Sequence, residues 1–150
     1  MIVDTSALVA MIREEADVAS YSEAIRQAQG ARLSAANYLE LAVVIDGLGD
    51  PIASSALDDV LRAYRIRIEP LTEAQARIAR VAYQRFGKGS GHPARLNMGD
   101  CFAYALARDL GEPLLFKGDD FKLTDIELVI EPIKHKRLSE VVAAYGVGTP

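Results

Sequence analysis

The feature of this chain that most constrains its fold is the alternation of short apolar runs with longer amphipathic segments. The short runs have the length of strands and lie at 1–3, 32–34, 66–70, 113–116 and 127–130. The longer segments have the apolar spacing of helices and lie at 7–12, 17–29, 37–48, 51–64, 72–86 and 98–110. Strands that alternate with helices form βαβ units. The sequence therefore predicts a three-layer α/β/α sandwich around a mostly parallel central sheet.

A chain of 150 residues has the size of a single domain, which we assign to residues 1–130. For the C-terminal extension, 131–150, we expect a short helix and a frayed end. The longest apolar run, 101–107, is far too short to span a bilayer, and an acid at position 4 does not fit a signal peptide. The single cysteine, Cys101, cannot form an internal disulfide, so we expect a cytoplasmic protein without membrane contact.

The charge balance restricts the classes of nucleic-acid partner. The chain carries 17 basic and 21 acidic residues, a net charge of −4. This balance argues against a protein that coats nucleic acid by bulk attraction, because such binding uses many lysine and arginine contacts to phosphate. It leaves open an enzyme that acts on one phosphodiester at a metal-loaded acidic site.

Five acidic residues occupy the positions where parallel α/β sheets bind ligands, at the C-terminal ends of strands or the N-terminal ends of helices. They are Asp4, Glu40, Asp100, Asp119 and Asp120. Each also has a local explanation. Glu40 and Asp100 each follow an asparagine by three residues, Asn37 and Asn97, which is the pattern of a capped helix start. Asp4 can accept hydrogen bonds from its own turn, and the remaining two can lie in a solvated loop.

A shared rim would give these acids a common function. Clustered carboxylates raise one another's pKa unless positive charge lies among them, and Mg²⁺ prefers oxygen ligands of this kind. Zinc is disfavoured, because Cys101 has no second cysteine and His92 and His135 are isolated. The acids therefore predict a site for a hard divalent cation.

Four segments carry a family resemblance. They read MIVDTSALV at 1–9, NYLE at 37–40, NMGDCFAYALA at 97–107 and LLFKGDDF at 114–121. In this order and spacing they resemble the PIN-domain ribonucleases and, more closely, the VapC toxins of bacterial VapBC toxin–antitoxin pairs, over about residues 1–130. The resemblance implies a PIN-like fold and an Mg²⁺- or Mn²⁺-dependent endoribonuclease. Such an enzyme cleaves RNA with metal-activated water and leaves 5′-phosphate and 3′-hydroxyl ends.

The resemblance also implies roles for the acids. Asp4 and Asp100 match direct metal ligands. Glu40, together with Asp119 or Asp120, would complete the site through water or a second ion. The resemblance does not separate the two adjacent aspartates.

Substrate binding requires hydroxyl groups or positive charge near this rim. The residues that we assign to it are Thr5, Ser6, Arg85, Lys88, Arg95 and Lys117. The window 80–98 contains basic residues and no acid, which fits an RNA-backbone groove and fits a solvated helix face with a loop equally well. Two members have alternatives: Ser6 can simply cap the first helix, and Lys117 can simply offset Asp119.

The helices of residues 5–64 carry more apolar positions than one face of a small sheet can bury. These positions include Leu8, Val9, Ile12, Val18, Val43, Val44, Leu57, Val60 and Leu61. We expect some of them to form a homodimer interface or a groove for an amphipathic partner helix. By resemblance the partner is a VapB-type antitoxin, through which the complex would bind operator DNA.

Two alternatives to a nuclease remain open. A receiver-like signalling domain also gathers acids around Mg²⁺, but it needs a phosphoacceptor aspartate at the end of a central strand, whereas Asp100 begins a helix. A catalytically idle PIN domain that only binds proteins is the other alternative. The presence of Asp4, Glu40 and Asp100 argues against it.

Overall fold

The computed structural model describes residues 1–129. The expected C-terminal extension, 131–150, lies outside the described residues, as does the last position of the predicted strand 127–130. The elements within the described range are β1 (Ile2–Val3), α1 (Thr5–Ile12), α2 (Val18–Gln27), β2 (Ala31–Ser34), α3 (Ala35–Asp46), α4 (Pro51–Ala63), β3 (Ile66–Glu69), α5 (Glu73–Phe86), α6 (Met98–Leu110), β4 (Leu114–Leu115) and a 3₁₀ turn at Asp120–Leu123. All six predicted helices are present.

The sheet has the strand order β3-β2-β1-β4, and every neighbouring pair is parallel. This confirms the predicted parallel sheet. The predicted strand 127–130 is wrong within the described range, where it forms a single bridge between Leu128 and Leu114. Since β4 is two residues long, it offers the next segment little more than one pairing position.

Helices cover both faces of the sheet, as the three-layer sandwich requires. Successive strand residues point to opposite faces, so Ile2 packs with α5 and α6 while Val3 packs with α1 to α4. Leu114 and Leu115 divide in the same way. Two apolar cores therefore hold the strands between them, and the strand ends meet at fixed edges. None of the helices in residues 1–129 has the length and apolar character of a membrane span.

The sequence predicted the start of α6 correctly but not the start of α3. Asn97 and Asp100 form a reciprocal capping box at the start of α6, which confirms the prediction for that pair. For α3 the prediction was wrong, because Ser34 at the end of β2 caps the helix by accepting a hydrogen bond from the Ala36 amide at 3.3 Å. Asn37 therefore lies inside the first turn of α3, and its side chain is free for another contact.

Candidate functional site

Four of the five predicted acids meet at the C-terminal edge of the sheet. Asp4 follows β1 and caps α1, Glu40 lies in α3, Asp100 lies in the first turn of α6, and Asp120 begins the 3₁₀ turn after β4. Asp4 and Asp100 are buried, whereas Glu40 and Asp120 are exposed. Residues that are far apart in sequence are thus brought together by the ends of parallel strands, as expected for this class of sheet.

The buried Asp4 carboxylate is held by one neighbour. Its Oδ2 accepts hydrogen bonds from the Ser6 amide at 2.9 Å and the Ser6 hydroxyl at 2.5 Å. Its Oδ1 is also buried but has no hydrogen-bond partner among the described residues. Burial raises the pKa of Asp4 above its ordinary value, the bonds from Ser6 oppose this rise, and the charge of Glu40 adds to it.

Ser6 connects Asp4 to the end of β4. Its hydroxyl donates to Asp4 Oδ2 and accepts a hydrogen bond from the Lys117 amide at 3.0 Å. The alternative that Ser6 simply caps α1 is therefore wrong, because the helix cap is Asp4. Thr5 is the first residue of α1 and directly follows Asp4.

Asp100 is positioned by the capping box. Its amide donates to Asn97 Oδ1 at 2.9 Å, and its Oδ2 accepts from the Asn97 amide at 2.7 Å. Burial raises the pKa of Asp100 to about 7, and the charges of Asp4, Asp120 and Glu40 contribute to the rise. The same four carboxyl groups therefore interact electrostatically across the site.

The structure separates the two adjacent aspartates after β4. Asp120 contributes to the raised pKa of Asp100. Asp119 has 86% of its side chain exposed and forms an ion pair with Lys122. Lys122, not Lys117, therefore offsets Asp119, so that alternative for Lys117 is wrong.

The predicted substrate-binding cations have different surroundings. The Lys117 ammonium bonds Glu15 and, at 3.1 Å, Asp17 on the connection between α1 and α2, so it is held away from the acids. Arg85 lies 3.4 Å from the Asp125 carboxylate and over the Phe86 ring. Lys88 and Arg95 are exposed in the loop that leads directly into α6.

Asn37 of α3 and Gly99 of α6 contact each other, and we did not assign either residue to the site from the sequence. Asn37 is fully buried, and its Nδ2 donates to the Gly99 carbonyl at 2.8 Å. The Glu40 carboxylate lies directly against the backbone of Gly99. The signal for both was present in the motifs NYLE and NMGD, but we interpreted Asn37 only as a helix cap.

The donor set fits a hard divalent cation. Among residues 1–129 no three histidine, cysteine or acidic side chains already lie at ligand spacing, so the acids form an open cluster. Mg²⁺ does not require a closed cage, because it usually takes one or two carboxylates together with water and substrate phosphate. The buried, unpartnered Asp4 Oδ1 is the oxygen that such an ion would satisfy.

Comparisons with known proteins show which family this chain belongs to. The PIN domain family model matches residues 1–127. VapC ribonuclease Mb0625 of Mycobacterium bovis and ribonuclease VapC28 of Mycobacterium tuberculosis are 53% identical over 131 residues, which are 87% of this chain and 98% of each relative. Ribonuclease VapC of Mycolicibacterium smegmatis is 45% identical over 86% of this chain and 99% of its own.

A solved structure supports the fold. A toxin–antitoxin complex from Klebsiella pneumoniae aligns with a TM-score of 0.51 and 16% identity, over 80% of this chain and 88% of that chain. Because the PIN domain model matches nearly all described residues, the receiver-like alternative is wrong. The chain belongs to the PIN-domain family and, within it, to the VapC ribonucleases.

Proposed function

We propose that the protein is a metal-dependent endoribonuclease and the toxin of a type II toxin–antitoxin pair. The observation that carries the proposal is the convergence of two buried carboxyl groups, Asp4 and Asp100, in a chain that is 53% identical to VapC ribonucleases. Buried acids of raised pKa lower the stability of a fold, and such groups are concentrated at functional sites.

The residues that would hold the metal follow from burial and free oxygens. Asp4 and Asp100 would bind Mg²⁺ or Mn²⁺ directly, and Glu40 and Asp120 would act through water or a second ion. We assign the fourth acid to Asp120, because Asp119 is paired with Lys122. When bound, the ion supplies charge that stabilises the phosphate oxygens and lowers the pKa of a water ligand.

The side chains of this protein perform the remaining work. Ser6 fixes the orientation of Asp4 and ties it to the end of β4. Glu40 and Asp120, which are exposed at the rim, would orient the attacking water, and one of the two would accept its proton. The expected products are 5′-phosphate and 3′-hydroxyl ends.

RNA contacts fall on the side of the loop that precedes α6. Lys88 and Arg95 are exposed there, close in sequence to Asp100. Arg85 extends the same positive surface, although it also forms an ion pair with Asp125. Lys117 is already bonded to two carboxylates, so we remove it from the RNA-binding set. Thr5, at the start of α1 beside Asp4, remains a candidate for a phosphate contact.

The proposed partners are a VapB-type antitoxin, a second copy of this chain and, through the antitoxin, operator DNA. Three of the apolar positions noted in the sequence, Leu8, Leu57 and Leu61, are buried in the core. Val43 and Val44 of α3 are instead largely exposed and leave an apolar surface for an interface. A cytoplasmic location fits a toxin that acts on cellular RNA.

Cleavage assays test the function. Purified protein should cut RNA with Mg²⁺ or Mn²⁺ and stop with a chelator, and Asp4→Asn or Asp100→Asn should abolish cleavage. Asp119→Asn is the matched control, because Asp119 is exposed and paired away from the site. Cleavage that survives Asp4→Asn would overturn the assignment, and intact RNA under both metals would favour the idle PIN domain.

A further inference from the structure

Gly99 stands at a place where the backbone does not require glycine. It is the second residue of α6, is buried, and has no positive φ. Glycine is a poor helix former, so any other small residue would suit this backbone at least as well. The reason for glycine here must therefore lie in what surrounds it.

The space above Gly99 is filled by the Glu40 carboxylate. A Cβ atom placed on residue 99 would lie 3.0 Å from both Cδ and Oε1 of Glu40, and closer still to Oε2. Real Cβ atoms essentially never make a contact below 3.0 Å, such as the one to Oε2. The absence of a side chain at position 99 thus allows the acid from α3 to lie against the first turn of α6, one residue before Asp100.

Asn37 fixes the same pair of helices. It lies one turn before Glu40 on α3, and its buried Nδ2 donates to the Gly99 carbonyl at 2.8 Å. One residue of α6 is therefore contacted by two residues of α3, through its carbonyl and through the space where a side chain would be. This contact lies one residue before Asp100 in the chain.

We propose that Gly99 is a positioning residue that determines where the Glu40 carboxylate lies relative to Asp4 and Asp100, with Asn37 holding the two helices in register. The proposal rests on the proposed function, because it assigns the effect to the metal and water that these acids serve. The Glu40 carboxylate lies at the end of a flexible, exposed side chain. An added methyl group at position 99 therefore displaces the carboxylate and leaves the fold intact.

The test compares Gly99→Ala with Met98→Ala, a matched control in the same turn whose side chain is exposed. We expect Gly99→Ala to keep or raise the melting temperature, since alanine favours a helix. We expect Mn²⁺ affinity and kcat on RNA to fall by about 10-fold or more, the usual effect of displacing groups around a metal, with KM for RNA unchanged. Met98→Ala should match the wild type in Mn²⁺ affinity and kcat.

A double-mutant cycle identifies Glu40 as the group through which Gly99 acts. In a Glu40→Gln background, Gly99→Ala should cause little further loss of Mn²⁺ affinity or kcat. Additive losses, or a Gly99→Ala protein that binds Mn²⁺ like the wild type, would overturn the proposal. If Gly99→Ala lowered the melting temperature, Mn²⁺ affinity and kcat would be compared for Gly99→Ser in the same way. Mn²⁺ affinity that falls only because part of the protein is unfolded would also overturn the proposal.

Failure of the proposed function gives a different result. A wild-type protein that binds Mn²⁺ but leaves RNA intact would contradict the ribonuclease assignment, while the Mn²⁺ affinities of the variants would still test Gly99. A wild-type protein that cleaves RNA equally well with alanine at position 99 would keep the function and reject the role of Gly99.

Discussion

Asp4 and Asp100 are the acids that the fold withdraws most from water at the site. Asp4 is 2% exposed and Asp100 is 8% exposed. Each has one hydrogen-bonding anchor, Ser6 or Asn97, and each has a raised pKa. At neutral pH without a cation, two such groups oppose folding, because ionising them in a buried place costs more than ionising them in water.

The first prediction concerns stability and pH. Burial raises the pKa of Asp100 to about 7 from 3.8, so the folded state binds this proton more tightly than the unfolded state. With chelator present, the free energy of unfolding should therefore decrease as pH rises from about 4 to above 7. Asp100→Asn should be more stable than the wild type at pH 8 and lose that advantage near pH 4, as measured by thermal unfolding.

Added Mg²⁺ provides the control for this prediction. It should stabilise the wild type at pH 8, since it binds the folded site, and have little effect on Asp100→Asn. An identical pH dependence of unfolding in the two proteins would show that Asp100 does not titrate in this range.

The second prediction concerns Ser6. Ser6→Ala removes the hydroxyl that holds Asp4 Oδ2 and leaves the Lys117 amide without its acceptor. We expect Mg²⁺ affinity and cleavage to fall by about 10- to 100-fold, as for other residues that orient metal ligands. Ser55→Ala, on the exposed surface of α4, is the matched control. Equal cleavage by both variants would refute a positioning role for Ser6.

At the level of elements, the sequence predicted most of the fold, because helix and strand periodicity report burial directly. The starts of α5 and α6 agree closely with the prediction, since both helices begin with capping boxes that are visible in the sequence. The start of α3 was missed because Ser34 is both the end of β2 and the helix cap. Local pattern could not show this, since it depends on where the sheet ends.

The site was predictable to the same extent. Strand order and helix starts determine which acids meet, so Asp4, Glu40 and Asp100 followed from the sequence. The choice between Asp119 and Asp120 did not, because it depends on the direction of the 3₁₀ turn. The pairing of Lys117 with Glu15 and Asp17 was equally hidden, because it joins residues about a hundred positions apart.

The third prediction compares two capping boxes. Asn97→Ala and Thr72→Ala each remove an N-cap side chain, from α6 and α5, and each should cost about 1 kcal/mol of stability. Only Asn97→Ala loosens the turn that carries Asp100, so only this variant should also lose Mg²⁺ affinity and cleavage activity. Chemical denaturation and cleavage rates measure the two effects. Equal activity at equal loss of stability would separate the α6 cap from the site.

At the level of the whole molecule, one surface of the α1–α4 layer is unusually apolar. We define the α3 apolar face as Leu39, Val43 and Val44 of α3, Leu48 of the turn that follows it and Ile52 of α4, all of which are more than 60% exposed. Large exposed apolar patches on a protein surface mark interaction sites. This face lies on the layer opposite α5 and α6.

The fourth prediction is that the α3 apolar face forms the homodimer interface. A twofold dimer places the same face of both copies in contact, so a charge introduced there is buried twice. Val43→Glu should therefore convert a dimer to a monomer in sedimentation or light-scattering measurements. The monomer should still show a cooperative melting transition, as a folded protein does. Val81→Glu, on the exposed side of α5, is the matched control and should leave the dimer intact.

Because Asp4, Glu40, Asp100 and Asp120 all come from one chain, the monomeric variant should still bind Mn²⁺. A Val43→Glu protein that remains dimeric would place the interface elsewhere, and a wild type that is monomeric at high concentration would leave this face to the antitoxin.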